Sequence, residues 1–389
     1  MRILVLMGSY FPYGVAISSR IMHFCKLFNY CGADVHVISL YSKDAACQIG
    51  ETYCLDCCTY EIATKKKESS FESFFGYKDF MICIKQYLER YGKPDAVFLS
   101  GVESYYSRIC RMFHGTPMYL EQCEWMDKSS YRFRSMDYRY IRRNRLIRNG
   151  YKKVSAVFSI SRLLDEYYTS IGMKSIRIPT ILDVKNTSFS CNTDNEKIVI
   201  VYTGNPSTSK ELFRPVFEAL RENSLFRDKF EFHIYGPDKE RIIANIDNDE
   251  ELYRMVKDNV FIHGKVPQEK IGEILRNADY QMFIRPLRRS SNAGFPTKLA
   301  ESMAVGTPVI TNLTGDIGLY LEDGANGFLA NGVSSSSIKD VFEKILRTDD
   351  KKYSEMRKEA RRTAEKCFDF RCYCDEIKTI LRLEKEHEV

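Results

Sequence analysis

The pattern of apolar and polar residues predicts a chain of alternating β-strands and α-helices. Short runs of consecutive apolar residues recur, and the segments between them place apolar residues at helical spacing. Continuous apolar runs of this kind are typical of strands buried on both faces of a parallel sheet. The predicted strands are Arg2–Leu6, Val35–Leu40, Ala96–Leu99, Met118–Glu121, Ala156–Ile160, Ser175–Ile178, Lys197–Tyr202, Phe230–Tyr235, Asn259–His263, Tyr280–Ile284 and Pro308–Thr311.

The predicted strands fall into two sets, which indicates two α/β domains. Segment 186–196 (NTSFSCNTDNE) separates them, and it is polar, rich in turn formers and without periodicity. A chain of 389 residues is long enough for two cores. We therefore predict an N-terminal domain of residues 1–185 and a C-terminal domain of residues 197–365. A final helical segment, 366–389, is expected to return to the N-terminal domain.

Composition places the chain among globular proteins that keep their cysteines reduced. Hydrophobic residues make up 44% and charged residues 28% of the chain. The 13 cysteines are odd in number and scattered, a pattern typical of cytosolic thiols. The densest group, Cys54, Cys57 and Cys58, has no second pair or nearby histidine to complete a zinc site. No metal or other cofactor is expected.

The positive charge is concentrated in one stretch, residues 131–153. This basic segment holds nine Lys or Arg and one Asp, a local net charge of +8 against +6 for the whole chain. Aromatic residues lie among the charges. One interpretation is a solvated helix face, and the other is docking on anionic lipid, at roughly 1 kcal/mol per basic residue. Since the rest of the chain is slightly acidic, nucleic acid is not an expected partner.

The sequence also bears on location. No apolar run is long enough to span a bilayer. The opening MRILVLMGSYFP resembles a signal peptide, but a turn follows it rather than a cleavage site, which favours a buried first strand. We expect a cytoplasmic protein, with peripheral association at the inner face of the membrane if the basic segment docks on lipid.

Two glycine turns follow strands and precede helices. The first contains Gly8 and Gly14, and the second runs from Gly204 to Lys210. Helix N-termini attract anions through free N–H groups and the helix dipole. Lys210 would oppose that dipole unless an anion lay between them. The other interpretations are a plain turn for the first and a solvated surface lysine for the second. The first turn lacks the G-x-G-x-x-G dinucleotide pattern.

The most informative segment runs from Arg285 to Ile310. A predicted strand ends in an arginine-containing loop, and Gly294 and Pro296 shape a turn into a helix that Gly306 ends. The N–H groups at its start suit an anion. Glu301 lies one turn in, where its carboxylate can accept hydrogen bonds from a vicinal diol such as ribose.

The stretch GFPTKLAESMAVGTPVITN closely resembles the donor-binding region of the group 1 glycosyltransferases (family 4). The resemblance extends over nearly the whole chain, through SAVFSISRLLDEYYTSIG, YTGNPSTSK, FHIYGP and VFIHGKVP. It implies the GT-B fold, in which two Rossmann-like β/α/β domains face each other across a cleft. It also implies retaining, metal-independent transfer of a hexose from a UDP- or GDP-sugar to a glycan or lipid-linked acceptor. Such enzymes assemble surface polysaccharides and glycolipids.

The resemblance assigns roles to individual residues. Lys210 matches the lysine that neutralises the donor phosphates, and Glu301 matches the glutamate that holds the nucleotide ribose. Lys265 and Val266 match the strand end where the base is read. The donor-binding positions it implies are Gly14, Gly204, Asn205, Lys265, Val266, Gly294, Phe295, Pro296 and Thr297.

The sequence departs from the family in three places. Ala293 stands where the family usually has an acidic residue, and Asn205 stands where it often has arginine. Arg285, which follows a strand directly, is the favoured substitute cation, ahead of Arg288 and Arg289. Because the acidic residue is missing at Ala293, the sugar identity stays open. The usual first-domain histidine is also absent.

Candidate acceptor chemistry lies after the predicted strand Met118–Glu121. Glu124 follows that strand end, where α/β sheets bind ligands, and it could orient or deprotonate an acceptor hydroxyl. A solvated loop carboxylate is the other interpretation of Glu124.

Two further functions share the expected fold: a sugar-nucleotide epimerase and a catalytically silent sugar-nucleotide-binding subunit. Retention of both Lys210 and Glu301 argues against the silent subunit.

Overall fold

The computed structural model describes residues 1–44, 46–65, 72–191, 193, 195–204 and 210–383. These residues form two compact units. Unit 1 comprises Met1–Ile181 and the C-terminal segment from Phe370, and unit 2 comprises Leu182–Asp369. Each unit has a mixed α/β architecture with its own sheet, as the apolar pattern predicts.

Unit 1 contains a sheet with eight strands among the described residues, in the order β3-β4-β2-β1-β5-β6-β7-β8. Neighbouring strands are parallel, except that β3 is antiparallel to β4. The strands are β1 (Arg2–Tyr10), β2 (Asp34–Ser42), β3 (Thr52–Leu55), β4 (Cys58–Lys65), β5 (Ala96–Ser100), β6 (Met118–Gln122), β7 (Ala156–Ser159) and β8 (Ser175–Arg177). The helices are α1 (Ala16–Tyr30), α2 (Glu72–Tyr91), α3 (Tyr106–Met112), α4 (Tyr138–Arg145) and α5 (Arg162–Ser170).

Unit 2 contains a fully parallel sheet, with six strands in the described part of the chain, in the order β11-β10-β9-β12-β13-β14. The strands are β9 (Ile198–Thr203), β10 (Phe230–Tyr235), β11 (Val260–Gly264), β12 (Tyr280–Met282), β13 (Val309–Asn312) and β14 (Gly327–Ala330). The helices are α6 (Arg214–Glu222), α7 (Ser224–Lys229), α8 (Lys239–Asn245), α9 (Glu250–Val256), α10 (Ile271–Asn277), α11 (Arg289–Ala293), α12 (Thr297–Ala304), α13 (Ser335–Leu346) and α14 (Asp350–Cys367).

The C-terminal helix α15 (Cys374–Leu381) belongs to unit 1. Its residues Ile377 and Ile380 are buried in the core that also contains Phe24 and Phe28 of α1. The Tyr119 hydroxyl of β6 donates a hydrogen bond to the Ile380 carbonyl at 3.1 Å. Apolar burial and this bond therefore hold α15 against unit 1.

Segment 182–191 belongs to unit 2, because two arginines of α14 bind its backbone. Arg357 is fully buried and its Nε donates to the Ser190 carbonyl at 3.0 Å. Arg361 donates from Nη2 to Val184 at 2.9 Å and from Nη1 to Thr187 at 2.7 Å. The division between the units therefore falls at 181/182, before the polar segment that the sequence suggested as a linker.

The eleven predicted strands all occur, with small shifts at their ends. Three others, β3, β4 and β14, were not predicted. The helix expected directly after Lys210 also begins later, at Arg214, with Pro215 in its first turn.

Candidate active site

Three glycines lie at the carboxyl ends of neighbouring strands in unit 2. Gly204, Gly236 and Gly264 have φ angles of 145°, 123° and 66° at the ends of β9, β10 and β11. The Gly236 amide donates to the Gly264 carbonyl at 2.7 Å. A Cβ on Gly236 would lie 1.7 Å from the Gly204 oxygen, so a side chain is excluded. Bare backbone therefore forms the sheet edge at which open α/β sheets bind ligands.

Lys298, on the first turn of α12, places its ammonium group beside this edge. A Cβ on Gly204 would lie 2.7 Å from Lys298 Cε and 2.9 Å from its Nζ. The ammonium donates to Glu211 Oε1 at 3.1 Å and lies 5.1 Å from the centre of the Tyr202 ring. The Tyr202 hydroxyl donates to Glu211 Oε2 at 3.3 Å. Sequence reasoning missed Lys298, although it stands inside the GFPTK motif.

Glu301 lies one turn after Lys298 on the same helix and is partly exposed. Within the described residues its carboxylate makes no hydrogen bond or ion pair. Burial raises the pKa of Glu301 above its ordinary value, and the nearby Lys298 opposes this shift only in part. Glu301 thus has acceptor capacity available for a ligand hydroxyl.

Lys210 is exposed and directly precedes the buried Glu211 that holds Lys298. Asn245 fixes this segment by donating from Nδ2 to the Glu211 carbonyl at 2.9 Å. The structure therefore brings Lys210, Glu301 and Gly204 to one region of unit 2, together with Lys298. Asn205 lies outside the described residues.

The loop before α12 is held together by its own arginine. Arg285 is buried, and its Nη1 donates to the Ser291 carbonyl at 3.1 Å and to Thr314 Oγ1 at 3.3 Å. Its side chain thus organises the loop. That Arg285 supplies the phosphate-binding positive charge in place of an arginine at position 205 stays a prediction. The cation that lies beside Gly204 is Lys298.

The remaining predicted positions of this loop lie at the start of α12. Phe295 is buried and packs edge-on against Tyr320 and Phe368, with ring centres 5.5 and 5.7 Å away. Pro296 is the N-cap residue and Thr297 the first helical residue, while Gly294 donates its amide to Ser290. Among the described residues, no side chain caps α12. Its first N–H groups thus suit the anion role predicted for them.

Lys265 and Val266 follow Gly264 at the end of β11, where Lys265 is exposed and Val266 half-buried. The ring of His263 stacks on Tyr235, with centres 4.3 Å apart and planes within 7°. His233 Nδ1 lies 2.9 Å from His263 Nε2. Sequence reasoning missed this ring stack, although the alternation of buried and polar residues along β10 places His233 and Tyr235 on one face.

In unit 1 the predicted phosphate-binding glycine, Gly14, lies beside a lysine that the sequence did not single out. Gly14 has a φ of 121°, and Lys43 Nζ donates to its carbonyl at 2.7 Å. The same ammonium lies 5.3 Å from the centre of the Tyr10 ring. The turn after β1 thus presents a cation as well as glycine backbone.

Glu124, the predicted acceptor-side carboxylate, lies near Arg143. Arg143 Nη2 is 3.8 Å from Glu124 Oε2, and its Nε is 3.6 Å from Glu103 Oε1. Burial would lower the pKa of Arg143, but the two carboxylates raise it, so this guanidinium stays charged. Glu124 is 37% exposed at its side chain and can therefore reach an acceptor.

The basic segment exposes large apolar side chains among its charges. Phe133 is 60% exposed, Met136 80%, Tyr138 67% and Ile141 51%. Four arginines of the segment form no ion pair within the described residues: Arg132, Arg134, Arg145 and Arg148. The surface therefore combines apolar contacts with uncompensated positive charge.

Neither a metal-binding cluster nor a membrane-spanning helix is found among the described residues. No group of three or more His, Cys, Asp or Glu side chains there is arranged to hold a metal ion. None of the helices described is both long enough and apolar enough to cross a bilayer.

Comparison with known proteins gives a family match for unit 2 and a fold match for nearly the whole chain. Residues 183–363 match the sequence model of the family described as glycosyl transferases group 1. A search of curated protein sequences gave no match. Among solved structures, sucrose-phosphate synthase from Thermosynechococcus elongatus has a TM-score of 0.75 at 14% identity, covering 98% of this chain and 99% of its own.

Two further structures share the fold. HepE of Anabaena, in complex with UDP and glucose, has a TM-score of 0.68 at 13% identity, covering 98% of this chain and 100% of its own. A mutant of S. aureus TarM, in complex with fondaparinux, α-GlcNAc-glycerol and UDP, has a TM-score of 0.70 at 10% identity, with the same coverage of 98% and 100%. At these identities the similarity concerns the fold. The chain therefore has the GT-B fold, and residues 183–363, within its second unit, match the model of the group 1 glycosyltransferases.

Proposed function

We propose that the chain is a retaining, metal-independent family 4 glycosyltransferase that moves a hexose from a UDP- or GDP-sugar to an acceptor hydroxyl. The observation that carries this proposal is the position of Lys298, which lies at the bare backbone of Gly204 and binds Glu211, the residue after Lys210. Glu301 follows Lys298 one turn later on α12. The family match of unit 2 supports the proposal. The UDP and glucose bound to HepE, which has the same fold, agree with this choice of donor.

The proposed chemistry follows from the charges at this edge. Departure of the nucleoside diphosphate places negative charge on its phosphate oxygens. The ammonium group of Lys210 and the free amides of α12 stabilise that charge, which lowers the barrier to transfer. Glu301 accepts hydrogen bonds from the ribose hydroxyls and fixes the donor's position. Because cations and dipoles supply the stabilisation, no metal ion is required.

On the acceptor side, we assign Glu124 the role of orienting or deprotonating the acceptor hydroxyl. Its carboxylate is accessible, and Arg143 holds it from one side. A base must lie within hydrogen-bond reach of the proton it removes, so an exposed carboxylate at a strand end is suited to this role. We assign the acceptor to the glycans or lipid-linked sugars of cell-surface assembly.

The basic segment supports a lipid-linked acceptor. Phe133 and Met136 can enter the headgroup region of a bilayer, while the unpaired arginines meet anionic lipid phosphates. Each basic residue near such a surface contributes about 1 kcal/mol. We therefore propose peripheral binding to the cytoplasmic face of a membrane.

The experiment that tests the function is a donor screen with product analysis. The chain is incubated with UDP-, GDP- and ADP-hexoses, with and without a candidate acceptor such as a membrane lipid extract, in the presence of EDTA. A transferase releases nucleoside diphosphate in an acceptor-dependent manner, and NMR of the product shows the anomeric configuration of the donor. An epimerase converts the sugar nucleotide without acceptor-dependent release, and a binding subunit leaves it unchanged.

A further inference from the structure

Lys298 occupies a position that is unfavourable for a lysine unless an anion is near. It lies on the first turn of α12, where the helix dipole repels cations, and its side chain is only 15% exposed. Buried lysines are rare unless they are paired. Glu211 supplies one anion, through a single hydrogen bond of 3.1 Å.

The ammonium group of Lys298 has donors left over. It carries three N–H bonds, and Glu211 is its single hydrogen-bond acceptor in the described part of the chain. The ring of Tyr202 covers another side. Its remaining donors lie at the carboxyl end of β9, where the missing side chain of Gly204 leaves room for the ammonium group.

We propose that Lys298 is a further phosphate-binding residue of the donor site, and that Glu211 is the positioning residue that holds it at Gly204. This inference rests on the proposed function. Tyr202 and Asn245 fix Glu211 from its side chain and its backbone, so the ammonium is placed before the donor arrives. Such preorganisation limits the ordering that binding requires.

The same geometry predicts that substitutions of Glu211 and of Lys298 change the nucleotide affinity in opposite directions. The Glu211 carboxylate lies next to the ammonium and reduces its attraction for phosphate. Removing the carboxylate charge while keeping the hydrogen bond, as in Glu211→Gln, leaves a full positive charge and tightens binding. Removing the ammonium, as in Lys298→Met, leaves an uncompensated carboxylate that repels the diphosphate. An ion pair that only fastens α12 would give no change in nucleotide affinity in either variant.

The test is calorimetric titration of the full chain with UDP and GDP. For whichever nucleotide binds the wild type more tightly, Lys298→Met should weaken binding by about tenfold, the loss of one charge-assisted hydrogen bond. Glu211→Gln should tighten binding about threefold, through the relieved charge. The double variant K298M/E211Q should bind more weakly than wild type but more tightly than Lys298→Met. The matched control is K339M/E222Q, which removes an ion pair of 2.6 Å elsewhere in unit 2.

The outcomes separate this inference from the proposed function. If the wild type binds UDP or GDP and K298M/E211Q binds within twofold of it, the inference about Lys298 is wrong and the proposed function stands. The double variant decides this point even if Lys298→Met fails to fold, because it leaves no unpaired buried charge. If the wild type binds neither nucleotide, the inference about Lys298 and the proposed function are both overturned.

Discussion

Gly204 and Lys298 are in contact at the carboxyl end of β9, although they lie far apart in the sequence. The Lys298 ammonium fills the space that a side chain on residue 204 would occupy, 2.9 Å from the position of its Cβ. The glycine therefore does two things: it adopts a φ of 145° that other residues rarely adopt, and it leaves room for a cation.

Gly204→Ala should weaken nucleotide binding and destabilise unit 2. The added Cβ forces the Lys298 side chain away from Glu211, and the strained backbone costs about 1–3 kcal/mol. We expect at least a roughly tenfold rise in the Kd for UDP or GDP, the equivalent of one lost phosphate contact. Calorimetric titration and thermal unfolding measure the two effects.

The matched control is Gly324→Ala, also in unit 2. Gly324 has a φ of 77°, and the nearest atom to its added Cβ is Lys352 Nζ at 4.0 Å. This variant should lose stability and keep its nucleotide affinity. Equal nucleotide affinity in both variants would contradict the assigned role of Gly204.

Glu301→Gln should make the protein more stable at neutral pH while it weakens nucleotide binding. Burial raises the pKa of Glu301 above its ordinary 4.5, so the folded state takes up more protons than the unfolded state just above that pH. Wild-type stability therefore falls as the pH rises through the interval between the two pKa values. The glutamine variant lacks this loss, so its Tm should exceed that of wild type by a margin that grows above pH 4.5.

Glu355→Gln provides a comparison in which the change in stability at neutral pH has the opposite sign. A hydrogen bond from Lys358 lowers the pKa of Glu355, so its carboxylate stabilises the folded state above the unfolded pKa. This variant should be slightly less stable than wild type at neutral pH. A Tm difference for Glu301→Gln that is independent of pH between 4.5 and 7 would contradict the account of Glu301.

Arg20→Met should strongly destabilise unit 1. Arg20 donates to Glu121 Oε1 at 2.7 Å and to the Ile178 and Pro179 carbonyls at 2.9 and 2.6 Å, all in the interior. Its removal leaves a buried carboxylate unpaired, which costs about 3–5 kcal/mol. Burial already raises the pKa of Glu121, so the loss should be smaller at pH 5 than at pH 8, where the orphaned carboxyl must ionise.

Fluorescence provides a readout specific to unit 1. Trp125 is the chain's one tryptophan and lies in that unit, so its emission during urea unfolding follows unit 1. The exposed Arg111→Met is the control and should change stability by less than about 0.5 kcal/mol. A similarly small change for Arg20→Met would show that the buried pair is not required.

Phe133→Ser combined with Met136→Ser should reduce binding to anionic vesicles. Burying two such side chains contributes about 1.5–3 kcal/mol each when complete, so partial insertion still predicts a loss of roughly tenfold or more. Cosedimentation with vesicles that contain phosphatidylglycerol measures this loss. Vesicles of phosphatidylcholine alone should bind the wild type weakly.

The control for the basic segment is a variant that removes exposed apolar side chains from unit 2. Leu225 and Met255 of unit 2 are 48% and 52% exposed, and replacing both with serine should leave vesicle binding unchanged. Salt should weaken wild-type binding, because it screens the arginines. Unchanged binding by the Phe133 and Met136 variant would rule out this surface as the docking site.

The sequence was sufficient to predict most of both sheets, because their strands are buried on two faces and appear as continuous apolar runs. The hairpin of β3 and β4 was missed for a physical reason. Glu61 interrupts the apolar pattern of β4, yet it is fully buried and is paired with Arg90 Nη2 at 2.9 Å. That pairing depends on a residue 29 positions away, which no local pattern reveals.

The site was predicted only in part, for a similar reason. Lys210 and Glu301 stand out through a motif, but Lys298 gains its role from Glu211, which lies 87 positions away. Lys43 likewise becomes a candidate site residue only through its contact with Gly14. In both cases a lysine that is ordinary in the sequence becomes informative once folding places it beside a glycine backbone.

The most direct test of the account is a thermal-shift titration of wild type, Lys210→Ala and Lys229→Ala with UDP and GDP. Lys229 is an exposed lysine at the end of α7 and serves as the matched control. The account predicts that one nucleotide raises the Tm of wild type and Lys229→Ala by mass action, and that the rise is lost in Lys210→Ala. The same rise in all three proteins, or none in the wild type, would contradict a diphosphate site at this edge of unit 2.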